Sequence, residues 1–233
     1  MSQKKKAKSK SKPRPTVTKI RAGITTSGAL AAPTPSPAPA FSNASPVAPA
    51  QLLKLDLGCG PNKKPGFFGV DQHPMPGVDH CMDLGDTSLT WPWADNSIEE
   101  VNSSHFYEHL DGKQRMHFLN ELCRILIPGG KATITTPYWA SSRAYGDPSH
   151  MWPPIGEMTF FYAVKTWRLS NAPHTDAQWL PGGFNCDFDF TAGYSLHPEI
   201  QPRNVELQQK AVTFLKEAAQ DMIATLVKPL VPR

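Results

Sequence analysis

Three things are scarce in this 233-residue sequence. Acidic side chains are missing altogether from positions 1–50, which carry nine lysines and arginines (Lys4, Lys5, Lys6, Lys8, Lys10, Lys12, Arg14, Lys19, Arg21). Long apolar runs are missing throughout, which excludes a membrane-spanning helix. Lys4 to Lys12 would pass for the basic start of a secretion signal, but no apolar segment follows them. Cysteine is limited to Cys59, Cys81, Cys123 and Cys186, widely spaced and without a C-x-x-C pair. Without a secretion signal, these are expected to be reduced thiols in a cytoplasmic protein. There is no internal repeat.

What is present divides near residue 50. Residues 1–21 are Lys/Ser-rich and residues 29–50 are dominated by Ala, Pro and Ser, as in PTPSPAPA. Neither stretch has the periodic apolar residues that offset the entropy of ordering a chain, so 1–50 is expected to be a disordered tail with a polyproline-like spacer. Without it, fifteen basic and twenty acidic residues remain, so the formal charge of +4 belongs to the tail. Residues 1–21 are therefore a candidate arm for nucleic acid or an acidic partner; the remaining chain is not. Residues 51–233 are long enough to bury one sizeable core and are expected to form a single domain.

Within that domain, Gln51 to Leu57 (QLLKLDL) suits a short buried strand running straight into Gly58-Cys59-Gly60-Pro61. Further strands are expected at Phe67 to Val70, ending at Asp71, at Asp79 to Leu84, at Ile98 to Ser103 and at Lys131 to Thr136. Gly112 to Ile125 has helical periodicity through Met116, Leu119, Leu122 and Cys123, with Pro128-Gly129-Gly130 as its stop. Val205 to Ala219 reads as an amphipathic helix, and Met222 to Val227 as a final strand because Thr225, Val227 and Pro229 suit a helix poorly. Strands alternating with helices argue for a mostly parallel sheet with helices on its faces.

The chemistry centres on Leu55-Asp56-Leu57-Gly58-Cys59-Gly60. Two glycines after a strand let the backbone turn sharply and approach a ligand closely. Asp71 ends the next strand, where an acid accepts both hydroxyls of a ribose in nucleotide-binding sheets. The stretch LDLGCGPNKKPGFFGVD resembles the first two motifs of class I S-adenosylmethionine-dependent methyltransferases, closest to a group of small predicted members with a shortened first helix. The similarity continues through Asp83-Leu84, WPWADNSIEEVNSSHFYEHL and LNELCRILIPGGKATITTP, and more loosely through AYGDPSH (144–150) and the C-terminal helix and strand.

That resemblance implies a Rossmann-like, doubly wound, seven-stranded sheet with an antiparallel last strand, and S-adenosylmethionine as cofactor. It implies that Asp56, Gly58 and Gly60 line the amino-acid part of the cofactor, that Asp71 binds the ribose, and that Asp83 reaches the adenine amine while the Leu84 backbone faces the ring. Ser104 and His105 would lie under the sulfonium, near the acceptor. The chain departs from longer members in lacking a third glycine. Only Pro61 to Gly66 separate the loop from the second strand, so the first crossover helix is expected to shrink to one turn.

Methyl transfer asks for an acceptor held in line with the methyl group and, for an oxygen or nitrogen carrying a proton, a general base. His150 and His105 are the candidates, with Asp147 as an orienting carboxylate, and Tyr138, Trp139 and Trp152 as walls of an apolar acceptor pocket. Glu108-His109-Leu110 reads instead as a helix start, and Trp91 and Trp93 as core or lid residues. His73, Asp79, His80 and Cys81 match no standard ligand spacing, so no metal is expected there. The acceptor carries no motif of its own. Two other readings stand beside methyl transfer: a catalytically weak cofactor-binding domain tethered through its basic tail, and an NAD-dependent dehydrogenase, which the missing third glycine and short first helix disfavour.

Overall fold

The computed structural model describes residues 18–20, 53–175, 177 and 182–233. Apart from Thr18–Ile20, the tail expected to be disordered lies outside the described residues. Among the described residues, eight strands form one sheet: β1 (Thr18–Ile20), β2 (Leu53–Leu57), β3 (Phe68–Asp71), β4 (His80–Cys81), β5 (Ile98–Ser104), β6 (Leu126–Pro137), β7 (Asp189–Leu196) and β8 (Ala219–Val227). The helices are α1 (Gly112–Ile125), α2 (Arg143–Gly146), α3 (Glu157–Phe161), α4 (Lys165–Asn171) and α5 (Val205–Phe214), with a 3-10 turn at Tyr107–His109.

The spatial order is β1-β7-β8-β6-β5-β2-β3-β4. Strands β4, β3, β2, β5 and β6 run parallel. The last strand, β8, inserts antiparallel between β6 and β7. This is the expected seven-stranded, Rossmann-like arrangement with an antiparallel last strand. To it the tail adds β1, antiparallel on the edge of β7 with Thr18 opposite Tyr194. Those three residues lie within the stretch expected to be a disordered tail, and the edge of β7, whose amides and carbonyls need partners, is where they pair.

Chain direction reverses beside β2. The chain builds outward through β3 and β4, then returns to lay β5 on the other side of β2. In open sheets of this kind, ligands sit outside the carboxyl ends of the strands flanking such a reversal. Here those ends are Leu57-Gly58 and Ser104-His105.

Packing follows the apolar pattern. Leu55 and Leu57 of β2, Val70 of β3, Ile98 and Val101 of β5, and Ala132 and Ile134 of β6 are fully enclosed. They meet Phe118, Leu119, Leu122 and Ile125 of α1 and the buried ring of Trp91. Helix α1 starts at Asp111 rather than at Glu108: the Asp111 carboxylate accepts from Gln114 N at 2.9 Å, and Gln114 Oε1 accepts from Asp111 N at 2.8 Å. Such a reciprocal box stabilises a helix start by about 1 kcal/mol.

Boundaries differ elsewhere. The strand expected over Asp79 to Leu84 contracts to two residues, with Asp83 and Leu84 in the following turn. Strand β6 begins at Leu126, directly after α1, so Pro128-Gly129-Gly130 lies inside it. Helix α5 stops at Phe214, and β8 begins at Ala219. Residues 61–66 form turns only, as their length requires.

Candidate functional site

The glycine loop is held from below. Asp56, buried on β2, accepts from Asn102 Nδ2 of the neighbouring β5 and from Lys64 N, each at 2.6 Å, which closes the 58–64 loop onto the sheet. Gly58 and Gly60 both have left-handed backbone (φ +67° and +51°). They differ in what surrounds them. A Cβ on Gly58 would lie 2.3 Å from Phe106 Cγ, whereas one on Gly60 would meet nothing within 4 Å. The loop is thus packed against Phe106 at its first glycine and open at its second.

Asp71, at the tip of β3, reaches the same place. Its Oδ2 accepts from Gly60 N at 2.9 Å and its Oδ1 from His73 N at 3.1 Å. Each oxygen keeps a lone-pair direction for a further donor. Asp83 is exposed and its Oδ1 accepts from Gly85 N at 2.8 Å, while Leu84 is buried with the core. Cys59, between the two glycines, has its thiol pushed up to about 11, by burial first and then by Asp56 and Asp71, so it stays protonated at neutral pH.

Ser104 ends β5 and His105 follows in left-handed backbone (φ 55°), its amide donating to Thr135 O at 2.8 Å. That turn aims the imidazole into a cavity of about 580 Å3 lined by His105, Glu108, His109, Arg143, Asp147 and His150, among others. All three predicted catalytic residues, His105, Asp147 and His150, therefore converge although forty-five positions separate the first from the last. His105 Nδ1 lies 3.3 Å from Glu108 Oε1, and that hydrogen bond raises the histidine above its ordinary value against the opposing effect of burial. Ser149 holds Asp147 below the carboxylate range by donating to Oδ1 through its hydroxyl (2.6 Å) and its amide (2.8 Å).

Glu108 and His109, read from sequence as a helix start, occupy the 3-10 turn and face this cavity. The signal that would have separated them is the box formed by Asp111 and Gln114, which places the helix start three residues later. The turn is clamped to the loop bearing His150. Met151 N donates to Glu108 O at 2.9 Å. Buried Arg115 donates to the carbonyls of Pro153 (2.6 Å), Met151 (2.9 Å) and Glu108 (3.3 Å). Arg143 is tied at 2.9 Å to Asp221 on β8.

A second, larger cavity of about 1090 Å3 lies beyond the same loop, with Trp139, Tyr145, Trp152, Pro153, Met158 and Tyr162 in its walls. Trp139 and Trp152 line it as expected. Tyr138 does not; it is buried behind, its hydroxyl donating to Glu157 at 3.0 Å. Asp79 accepts from Lys63 Nζ and Gly69 N, each at 2.7 Å.

Residues 71–134 match the family model described as a methyltransferase domain. That match spans about a quarter of the chain and agrees with the resemblance to S-adenosylmethionine-dependent methyltransferases carried by the motifs, and so with S-adenosylmethionine as the cofactor. No curated protein sequence matches the chain. Among solved structures, a SAM-dependent methyltransferase from Archaeoglobus fulgidus is similar at 16% identity and TM-score 0.49, over 76% of this chain and 87% of that one. An S-adenosylmethionine-dependent methyltransferase from Mesorhizobium loti aligns at 16% identity and TM-score 0.40, over 76% and 91%. Phosphoethanolamine N-methyltransferase 2 of Haemonchus contortus aligns at 16% and 0.40, over 79% of this chain and 50% of that one. No residue role or acceptor passes to this chain from proteins so distant. Among the described residues, no helix is long and apolar enough to cross a membrane.

Proposed function

We propose that this protein transfers the methyl group of S-adenosylmethionine to an acceptor held in the polar cavity beside His105 and His150. The observation that carries the reading is the juxtaposition at the sheet's reversal point. There Asp71 is joined to the glycine loop through Gly60 N, and Phe106, the residue after His105, packs on Gly58, so the loop and the cavity lined by His105 lie on either side of Phe106.

The residues fit the cofactor. The open space over Gly60 admits a ligand to within backbone contact. Asp71 would hold the ribose hydroxyls, Asp56, Gly58 and Gly60 the amino-acid end, and Asp83 with the Leu84 backbone the adenine. Ser104 and His105 would border the sulfonium. The bound cofactor supplies an activated methyl group on a good leaving group, so little covalent chemistry is asked of the chain. What the chain does is orient the acceptor and take its proton. His105, hydrogen-bonded to Glu108, and His150, beside Asp147, are the groups within reach of that proton. The aromatic walls of the larger cavity, across the loop 143–153, would receive an apolar part of the acceptor.

Residues 1–17, with seven of the nine tail cations and no acid, form a basic arm ahead of β1 that we expect to meet an anionic partner. Its association would weaken with salt and disappear on deletion of 1–17.

Titration calorimetry with S-adenosylhomocysteine and with NAD tests the donor side: binding of the first and not the second is expected. Transfer of a labelled methyl group to fractionated protein, nucleic acid and small-molecule pools then identifies the acceptor class. Absence of S-adenosylhomocysteine binding would overturn the proposal.

A further inference from the structure

The polar cavity holds a donor set that methyl transfer does not by itself require. One ligand-type atom each from Glu108, His109 and His150 lies within 4.8 Å of the others. Glu108 is 96% buried, and its Oε2 has no hydrogen-bond partner among the described residues, since His105 bonds only Oε1. A buried carboxylate oxygen left unpaired is costly, and a carboxylate that carries one and stands beside two imidazoles suits a cation.

The imidazoles are oriented for one. His150 Nδ1 lies 3.3 Å from Ala144 O, and His109 Nδ1 lies 3.4 Å from Ser149 O and 3.1 Å from Ser149 Oγ. A carbonyl oxygen only accepts, so the tautomer that satisfies these contacts donates from Nδ1 and leaves Nε2 of each ring free to coordinate. The serine completes a relay in which its hydroxyl donates to Asp147 Oδ1 while accepting from His109. Metal-bound histidines are fixed in this way, the second ring nitrogen donating to a backbone carbonyl or a bridged carboxylate.

The two halves of the set come from separate segments, the 3-10 turn and the 147–151 loop. Arg115 and the Met151–Glu108 backbone bond lock those segments together. Arg143, the cation in the same cavity, has its charge directed to Asp221. Asp147 Oδ2, 3.8 Å from His150 Nε2, is a fourth donor within reach.

We propose that Glu108, His109 and His150 bind a divalent first-row transition metal ion. Two imidazoles and one carboxylate suit zinc, manganese or cobalt better than magnesium or calcium, and three protein ligands leave coordination positions open toward the cavity. Metal bonds of about 2.1 Å in tetrahedral arrangement would draw the ligand atoms to about 3.4 Å apart, a side-chain adjustment of about 1 Å. The binding site stands on the donor geometry alone. Its use, to seat an oxygen of the acceptor at an open position beside the methyl donor, rests on the methyltransferase reading, and with the ion bound His105 rather than His150 takes the acceptor's proton.

The test is titration of chelator-treated full-length protein with Zn2+ and with Mn2+ by calorimetry, together with the visible spectrum of the Co2+ form. One ion per chain is expected, with affinity falling at least tenfold in His109→Ala, His150→Ala and Glu108→Gln. It should be unchanged in His80→Ala and Cys81→Ser, which remove the surface donors. Thermal unfolding before titration confirms that each variant is folded, and His150→Gln stands in if His150→Ala is not. Stoichiometric binding that survives His150→Ala, or that is lost in Cys81→Ser, would overturn the site, as would no binding at all. S-adenosylhomocysteine affinity is measured on the same metal-free samples. If that ligand binds and no ion does, the metal site fails while the methyltransferase reading holds; if an ion binds and that ligand does not, the reading fails and the site stands.

Discussion

Alanine at Gly58 and alanine at Gly60 should injure this protein in different ways, although the two positions lie two residues apart in one loop. Both glycines have left-handed backbone, which costs an alanine about 1–2 kcal/mol. At Gly58 the new methyl also collides with Phe106, at 2.3 Å from Cγ and 2.5 Å from Cβ, and the Cβ cannot swing away by a rotamer change. Overpacking of that kind costs about 1–3 kcal/mol more. Gly58→Ala is therefore expected to lose about 2–5 kcal/mol, which at roughly 2–4 °C per kcal/mol for a chain of this size lowers Tm by about 4–20 °C. Gly60→Ala should lose only the backbone part, about 2–8 °C. Its methyl instead fills the space open to the cofactor, so S-adenosylhomocysteine affinity should fall at least tenfold, or about 1.4 kcal/mol. Circular dichroism melts and titration calorimetry read the two effects separately. Truncating Phe106 to alanine in the Gly58→Ala background should recover the ring's share of the steric part, but not the share due to the Cβ at 2.5 Å, with a coupling of about 1 kcal/mol. If Gly60→Ala binds like the parent, or if Gly58→Ala melts no earlier than Gly60→Ala, the assignment of one glycine to packing and the other to the ligand is wrong.

Asp71→Ala should weaken S-adenosylhomocysteine binding at least tenfold in calorimetry while the fold survives; unchanged affinity would remove Asp71 from the site. Glu121 is buried, which by itself raises its carboxyl, but Arg124 and the Trp91 amide (2.7 Å each) outweigh burial and hold it below its ordinary 4.5. Its contribution is therefore present above pH 4.5 and lost as pH falls through the depressed value. Glu121→Gln should cost about 1.5–3 kcal/mol at pH 7 and lose less on acidification, and parallel denaturation curves for the two proteins would refute this. Arg115→Met strips donors from three carbonyls and should destabilise by about 3 kcal/mol, with faster amide exchange in 147–153 and little change in cofactor affinity. Unaltered exchange there would show that Arg115 does not clamp the loop. Deleting residues 1–50 uncovers the edge of β7, so the truncated chain should self-associate at lower concentration in sedimentation than one starting at residue 16; equal behaviour would make β1 dispensable.

Legibility in the sequence followed how local the cause was. The glycine loop, Asp71 and α1 were readable because each depends on neighbours within one turn or one strand. The preference for a strand over a helix at β8 was sound, since Thr225 and Val227 are β-branched and the segment pairs on both sides. Strand β7 went unseen: Gly193 and the alternating small residues of DFTAGYSL hide a segment whose order comes from pairing with β8. Strand β1 left a trace in Thr16-Val17-Thr18-Lys19-Ile20, a β-branched run that the surrounding lysines outweighed. At the polar cavity, His105, Asp147 and His150 were singled out by chemistry. Their company with Glu108 and His109 was not visible, because it depends on how the 147–151 loop folds back over the turn after β5.

The peptide at Glu108 belongs to two circuits at once. Its carbonyl is gripped by Met151 N and Arg115, while its side chain reaches His105, next to the ring of Phe106 that supports Gly58. A molecule that presses the 147–151 loop inward thus leans, through three covalent neighbours, on the glycine loop where we propose the cofactor sits. Thermodynamic reciprocity then requires that whatever one occupant does to the other's grip is returned in equal measure, so on the proposed reading cofactor and acceptor are not expected to arrive independently.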